Sequence, residues 1–143
     1  MAALTPNLLQ AYRATSYETD GPPKFILHVG RRCPMLDTYL IERGLNSWAF
    51  LTAENPRSSL LSVTENEARN AQLAVLIKRQ GYPYLPGKGI PATADWLPEH
   101  SFLMLGIAKA TATELARQFD QNAYVYGRVG EAAELVWVEY AQG

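Results

Sequence analysis

The sequence predicts an α+β domain with a single mixed sheet of five or six strands, packed by three or four helices. Some segments space their apolar residues at the helical period, whereas others alternate apolar with polar residues or are apolar throughout. Helical and strand segments alternate in the first half of the chain, which is typical of crossover connections. Two hairpin-like joins follow in the second half, so part of the sheet should be antiparallel.

Length and composition limit the class of protein. The 143 residues suffice for one hydrophobic core, so residues 1–143 are predicted to form a single domain. A net charge of −1 argues against general nucleic-acid binding, which depends on an excess of basic residues. The single cysteine, Cys33, excludes an internal disulfide framework and a cysteine-based zinc site. With no signal-like start and no apolar run of membrane length, the sequence predicts a cytoplasmic protein without membrane contact.

The first three elements are predicted from local signals. A helix is expected at about Asn7–Ala14, because Pro6 precedes it at a position that suits a first-turn proline. Alternating apolar and polar residues over Lys24–Val29 predict the first strand. A second helix should begin at Pro34 and stop at Gly44, a residue type that favours helix C-termini.

The middle of the chain contains the clearest helix signal. The continuous apolar run Trp48–Ala53 predicts a strand covered on both faces, central in the sheet. Ser62 and Glu65 have the spacing of a capping box, and a long helix should follow to about Gln80. The segment Tyr82–Leu85 is predicted as a strand that its proline confines to a sheet edge or a strand start.

The last part of the chain begins with a loop. Residues Pro86–Pro98 contain three prolines and two glycines without a period, which predicts a loop of a length that is often functional. A buried strand is expected at Ser101–Ile107, and a second capping box at Thr111–Glu114 should start a fourth helix. The strands Ala123–Tyr126 and Leu135–Val138 should close the domain as a hairpin.

Polar residues are expected to gather at one edge of the predicted sheet. This follows if the first three strands run parallel, the fourth returns antiparallel and the fifth follows a crossover. Ligands of open α/β sheets favour such an edge. Two residues of the long loop join the set, Lys88 as part of a lid and Trp96 as a ligand contact. Arg69 of the capped helix completes it. The candidate ligand-binding residues are Glu54, Asn55, Arg57, Arg69, Lys88, Trp96, Glu99, Gln121 and Asn122.

Several candidates also fit an ordinary structural role. Arg57 precedes a helix start, which suits a phosphate or carboxylate site or a simple turn. Arg69 can face a ligand or form an ion pair with Glu65 one helical turn away. Glu54, Glu99 and His100 are the candidates for acid–base chemistry, but Glu99 and His100 would point to opposite faces of a strand, so no catalytic residue is assigned. The two histidines lack metal-ligand spacing, so neither a metal nor a cofactor is predicted.

Two functions are compatible with this set of residues. Amides donate and accept hydrogen bonds but transfer protons poorly, which favours a binding module for a small polar ligand or a protein partner. The alternative is a small hydrolase or transferase acting on a phosphorylated or nucleotide-like substrate. In that case Arg57 and Lys88 would clamp the charge, and Glu54 or Glu99 would act as base. The sequence leaves open both enzymatic activity and oligomeric state.

Five segments carry a resemblance to a known family. They are Trp48–Pro56, Leu61–Arg69, Gly81–Tyr82 with Leu85–Gly87, Ser101–Ile107 and Phe119–Asn122. Taken in order they resemble a bacterial family of unknown function, DUF3293, over about residues 12–137. The resemblance implies a small bacterial protein and brings no activity, cofactor or catalytic residue with it. Asp120 stands where relatives usually have glycine, which disfavours an anionic ligand beside it.

Overall fold

The structure, a computed structural model, describes residues 6–93 and 97–140. Within these ranges the chain forms four α-helices and seven strands. The helices are α1 (Pro6–Ala14), α2 (Pro34–Glu42), α3 (Val63–Gln80) and α4 (Lys109–Gln118), and a 3-10 turn covers Pro56–Ser58. The strands are β1 (Ser16–Thr19), β2 (Ile26–Leu27), β3 (Ser47–Leu51), β4 (Tyr84–Ile90), β5 (Glu99–Leu105), β6 (Ala123–Arg128) and β7 (Glu134–Trp137). No helix in this part of the chain is long and apolar enough to cross a membrane.

The seven strands form one antiparallel sheet that curls into a half-barrel. Their order is β2-β1-β4-β5-β3-β6-β7, and all neighbouring pairs are antiparallel. The prediction of an α+β domain is confirmed, whereas the prediction of a mixed sheet of five or six strands is wrong. Strands β2, β3 and β4 do point the same way, as expected, but none of them is a neighbour of another. The reason is that the connection from β3 to β4 skips one position, which β5 fills, and the connection from β2 to β3 skips three, which β1, β4 and β5 fill.

The centre of the molecule has a familiar topology. From β3 to β6 the elements follow the order β-α-β-β-α-β, with β5 between β3 and β4, and β3 between β5 and β6. This is the interlocked pair of split β-α-β units of the ferredoxin-like fold. Strands β1 and β2 extend the sheet beyond β4, and β7 extends it beyond β6.

Helices cover both faces of the sheet. One face packs against α3 and α4, which bury Leu73, Ile77 and Leu115 against it. The other face packs against α2, whose Leu36 and Leu40 are fully buried. Since side chains alternate across a strand, Leu51 of β3 belongs to the first core and Phe50 to the second.

The two predicted capping boxes have different outcomes. At α3 both hydrogen bonds form: Glu65 N donates to Ser62 Oγ, and Ser62 N donates to the Glu65 carboxylate. The box predicted at Thr111–Glu114 is wrong, because α4 begins earlier, at Lys109. Ala112 N already donates to Ala108 O, so the backbone is helical where Thr111 was expected to cap it.

Strand β4 corrects the predictions for residues 82–98. It runs over Tyr84–Ile90 between β1 and β5, so Pro83 stands just before the start of the strand, which was one of the two predicted places for it. The strand is not at a sheet edge and extends beyond Leu85, so the loop is shorter than expected. Pro86 has no backbone N–H to donate. It is tolerated because the residue opposite it is Asp20, just beyond the end of β1, and Asp20 N donates to Pro86 O. A Cβ on Gly87 would lie 2.3 Å from the Glu18 carbonyl oxygen, so glycine permits the close approach of β1.

The first two strands also differ from the prediction. Strand β1 was not expected, because only Tyr17 among its four residues is strongly apolar. In the structure the Tyr17 ring packs edge-on against Phe50, with ring centroids 5.4 Å apart. The strand predicted at Lys24–Val29 is reduced to Ile26–Leu27, since Phe25 N donates to the Thr19 side chain.

Candidate functional site

A cavity of about 690 Å³ lies between α1 and the sheet face that contacts α2. Leu8 and Ala11 of α1 form one wall, and Tyr17, Phe50 and Val125 of the sheet form the opposite wall. The loop after β4 contributes further lining residues, at 91–93 and 97. The cavity is therefore mainly apolar and is covered by a short helix.

Polar side chains line one end of this cavity. They come from the turn after β3, the start of β5 and the segment leading into β6, because the strand directions bring these three points together. We call this group the polar rim, and its members are Asn55, Ser58, Glu99, Gln121 and Asn122. Four of the nine sequence-predicted residues are rim members. Glu54, Arg57, Arg69 and Lys88 do not line the cavity, and Trp96 lies outside the described residues.

Direct hydrogen bonds connect the polar rim. Asn55 Nδ2 donates to Glu99 Oε2 at 2.8 Å, and Asn122 Nδ2 donates to Ser58 Oγ at 2.9 Å. Asn66 of α3 fixes the orientation of Asn55 by donating Nδ2 to its Oδ1 at 2.9 Å. The rim is thus a pre-organised set of amide, hydroxyl and carboxylate groups.

The backbone beneath the rim is unusual. Asn55, Arg57, Ser58 and Asp120 all have left-handed φ angles, of 47°, 51°, 63° and 53°. Asn and Asp adopt this conformation more readily than Arg or Ser, which require support from their surroundings. Arg57 N donates to Asp120 O at 2.7 Å, and Ser58 N to Asn55 O at 2.9 Å. Such strained segments cluster at binding and catalytic sites.

Tyr12 brings a phenol from α1 to the rim. Burial raises the pKa of Tyr12 to about 12, although hydrogen bonds with the side chains of Ser58 and Asn122 act in the opposite direction. The phenol therefore stays protonated at neutral pH and can donate or accept a hydrogen bond. Tyr17 OH donates to Tyr12 O at 2.9 Å, which holds α1 against the sheet.

Glu99 provides the carboxylate of the rim. Burial raises the pKa of Glu99, and the charge of Glu54 adds to this effect. The hydrogen bond from Asn55 acts in the opposite direction by stabilising the ionised form. Glu99 is therefore an acid whose charge is poorly solvated and would be stabilised by a positive group.

Glu54 and Arg69 hold the protein together beside the cavity. Glu54 Oε2 accepts from Asn70 Nδ2 at 3.0 Å and from His100 N at 2.9 Å. Arg69 Nε donates to Ala53 O at 2.6 Å, and its guanidinium also donates to the Phe119 carbonyl. These side chains bind the protein's own backbone and amides. The sequence had suggested either a ligand contact or an ion pair with Glu65 for Arg69. In the structure Arg69 instead binds two backbone carbonyl groups.

Arg57 and Lys88 are also placed away from the cavity. Arg57 lies 3.5 Å from Asp120, and its guanidinium is 4.2 Å from the centre of the Tyr140 ring. Lys88 belongs to β4, in register with His100 of β5 and on the face opposite to the cavity-lining Gly89. The proposed lid lysine is thus a strand residue, and the two cations do not converge.

Tyr12, Tyr17 and Ser58 are cavity residues that the sequence analysis did not select. A signal for Tyr12 exists, because Leu8, Ala11 and Tyr12 share one face of a helix at i, i+3 and i+4. What that face covers depends on how α1 docks. Ser58 lies within a loop that looked like ordinary turn chemistry.

Fold and site together define an α+β protein with a ferredoxin-like centre and a helix-covered cavity. Residues 51–124 match the family described as a protein of unknown function, DUF3293, and the chain belongs to this family. The match covers just over half of the chain and includes the whole polar rim, whereas α1 lies outside it. Comparisons with curated proteins and with solved structures gave no match.

Proposed function

We propose that this is a bacterial cytoplasmic binding module that holds one small amphiphilic molecule beneath α1. The observation that carries the proposal is the cavity itself, which joins apolar walls to a pre-organised polar rim. Its volume of about 690 Å³ is in the usual range for ligand sites, and few, well-placed polar groups are typical of them.

The composition of the rim favours recognition over chemistry. Asn55 and Asn122 supply amides, which match hydrogen-bonding groups of a ligand but do not transfer protons readily. The Nε2 of Gln121 donates to the Glu54 and Phe119 carbonyls and so supports the rim from behind. The walls at Phe50 and Val125 would contact an apolar body. A ligand with a hydrogen-bonding head at the rim and an apolar part against the sheet therefore fits both surfaces.

The geometry does not support the alternative of phosphoryl or nucleotide chemistry. That function needs cations that face the substrate, but Arg57 is engaged by Asp120 and Lys88 lies on the other sheet face. Among the described residues that line the cavity there is no lysine, arginine or histidine. A small molecule that lacks a phosphate group is the better match.

A thermal-shift screen tests the proposed binding. The panel would contain amphiphiles with amine, alcohol, amide and carboxylate heads on aryl or alkyl bodies. A ligand at 100 times its dissociation constant should add about 2.7 kcal/mol of stability, an increase in Tm of about 5–10 °C for this chain length.

Two variants give the screen its specificity. Asn122→Ala removes a rim amide and should reduce the shift, whereas Gln72→Ala removes an exposed amide on α3 and should leave it unchanged. Each shift is measured against the variant's own unliganded Tm. A panel without a hit would contradict the small-molecule proposal and favour a protein partner.

A further inference from the structure

We propose that the cavity selects a ligand carrying an ammonium group, which pairs with the Glu99 carboxylate. This inference rests on the proposed function and names the chemistry of the head group. It follows from the charges and ring surfaces that the described residues present to the cavity.

The charge at the rim is negative. Glu99 lines the cavity, and the carboxylate of Glu54 is near enough to act on it electrostatically. The guanidinium of Arg57 is paired with Asp120. No lysine, arginine or histidine occurs among the described lining residues, so the ionised Glu99 carboxylate has no cationic partner there. A cationic group on the ligand would supply that partner.

The hydrogen bonding of Glu99 leaves room for such a partner. Its Oε2 accepts from Asn55 Nδ2, and a carboxylate offers about four lone-pair positions in all. An ammonium group has three donors and no acceptor, so it suits a carboxylate better than it suits amide N–H groups. An alcohol would gain a weaker bond, and a ligand carboxylate would be repelled.

Aromatic rings provide the second attraction. Tyr12, Tyr17 and Phe50 all line the cavity, and the Tyr17 and Phe50 rings meet edge to face at 5.4 Å. Ring faces attract cations, most strongly where water is excluded. An acid beside aromatic walls is therefore suited to an organic ammonium ion with an apolar body.

Three probes with one apolar body separate the head groups. We would titrate the full chain with phenylbutylamine, phenylbutanol and phenylbutanoate by calorimetry at fixed pH and salt. The amine should bind at least about tenfold more tightly than the alcohol, and the carboxylate should bind most weakly.

The variant Glu99→Gln tests the role of the carboxylate. It retains an oxygen that can accept from Asn55, so the cavity keeps its shape, and the preference for the amine should fall to about onefold. Affinity for the alcohol should stay within about threefold of the wild-type value. Glu114→Gln, an exposed change on α4, should keep the full preference.

The outcomes separate the two proposals. Binding of the alcohol or the carboxylate as tightly as the amine would overturn the ammonium inference and leave the binding module standing. Persistence of the amine preference in Glu99→Gln would also overturn the inference. Failure of all three probes, together with a blank amphiphile screen, would overturn both.

Discussion

Asn70 shows how single buried amides define the surroundings of the cavity. Its Oδ1 accepts from Ala53 N at 3.0 Å, while its Nδ2 donates to Glu54 Oε2 at 3.0 Å and His100 O at 3.1 Å. One side chain of α3 thereby joins the end of β3 to the start of β5. Asn55 and Glu99 lie beside these two points, so their separation depends on Asn70.

Replacing Asn70 should therefore cost far more than an average amide deletion. Asn70→Ala leaves a buried N–H, a carbonyl and a carboxylate without this partner, and should lower the free energy of unfolding by about 3 kcal/mol. Urea denaturation measures the loss, with the exposed Gln72→Ala as control. Equal losses in the two variants would contradict a structural role for Asn70.

Glu99 should make stability depend on pH. Because its pKa is raised in the folded protein, folding favours its protonated form. This stabilising contribution is complete below the unfolded-state pKa of about 4.3 and is lost as pH rises through the folded-state value. Glu99→Gln removes the loss, so its stability relative to wild type should increase as the pH rises from about 4 through the folded-state pKa of Glu99.

Urea titrations at a series of pH values would measure this difference. Gln72→Ala changes no titratable group, so its difference from wild type should stay constant with pH. A difference for Glu99→Gln that is flat, or that falls with rising pH, would show that the folded protein does not penalise the ionised acid.

At the scale of elements, the sequence correctly predicted helices and strands whose formation depends on neighbouring residues. Pro34, the capping box at Ser62 and the apolar run at β3 each led to an element that the structure contains. The final hairpin is also present. Strand directions were predicted as well, which is why Asn55, Glu99 and Asn122 were expected at one edge.

The pairing of strands could not be predicted in the same way. Strand β1 is held by β4, about 70 residues away in sequence, and its register depends on the absence of a side chain at Gly87. The partners of Arg57 and Arg69 are likewise distant, at Asp120 and Phe119. Such contacts follow from the assembled sheet and leave no periodic pattern in the sequence.

Two glycines of β4 offer a test of this pairing. A Cβ at Gly87 would lie 2.3 Å from Glu18 O, whereas a Cβ at Gly89 would have its nearest neighbours, in Thr15 and Tyr17, 3.8 Å away. Gly87→Ala should therefore destabilise the protein by about 1–3 kcal/mol, and Gly89→Ala should change stability by less than about 0.5 kcal/mol. Thermal or urea unfolding distinguishes them. Similar values for both would argue against the close approach of β1 to β4.

At the scale of the whole molecule, two parts of the chain build the cavity together. The segment that matches the family, residues 51–124, supplies the polar rim. Helix α1 and Tyr17, which precede that segment, supply the cover and part of the apolar wall. Helix α1 has no fully buried residue, so its attachment depends on contacts such as the bond from Tyr17 OH to Tyr12 O. Tyr12 and Tyr17, which line the cavity, therefore also help to hold α1 in place over the rim.

The cavity is partly open to solvent and has apolar walls, so filling it removes apolar surface from water and tests what the space can hold. Ala123 of β6 lines the cavity, and a leucine there can place its extra carbon atoms in that space. Ala123→Leu should raise the free energy of unfolding by about 1–2 kcal/mol and weaken phenylbutylamine binding by at least about tenfold. Ala116→Leu, inside the packed core beneath α4, should instead destabilise by about 1–3 kcal/mol. Equal destabilisation by both would mean that the space beside Ala123 cannot accept a side chain. Unchanged amine binding in a stabilised Ala123→Leu would place the ligand elsewhere.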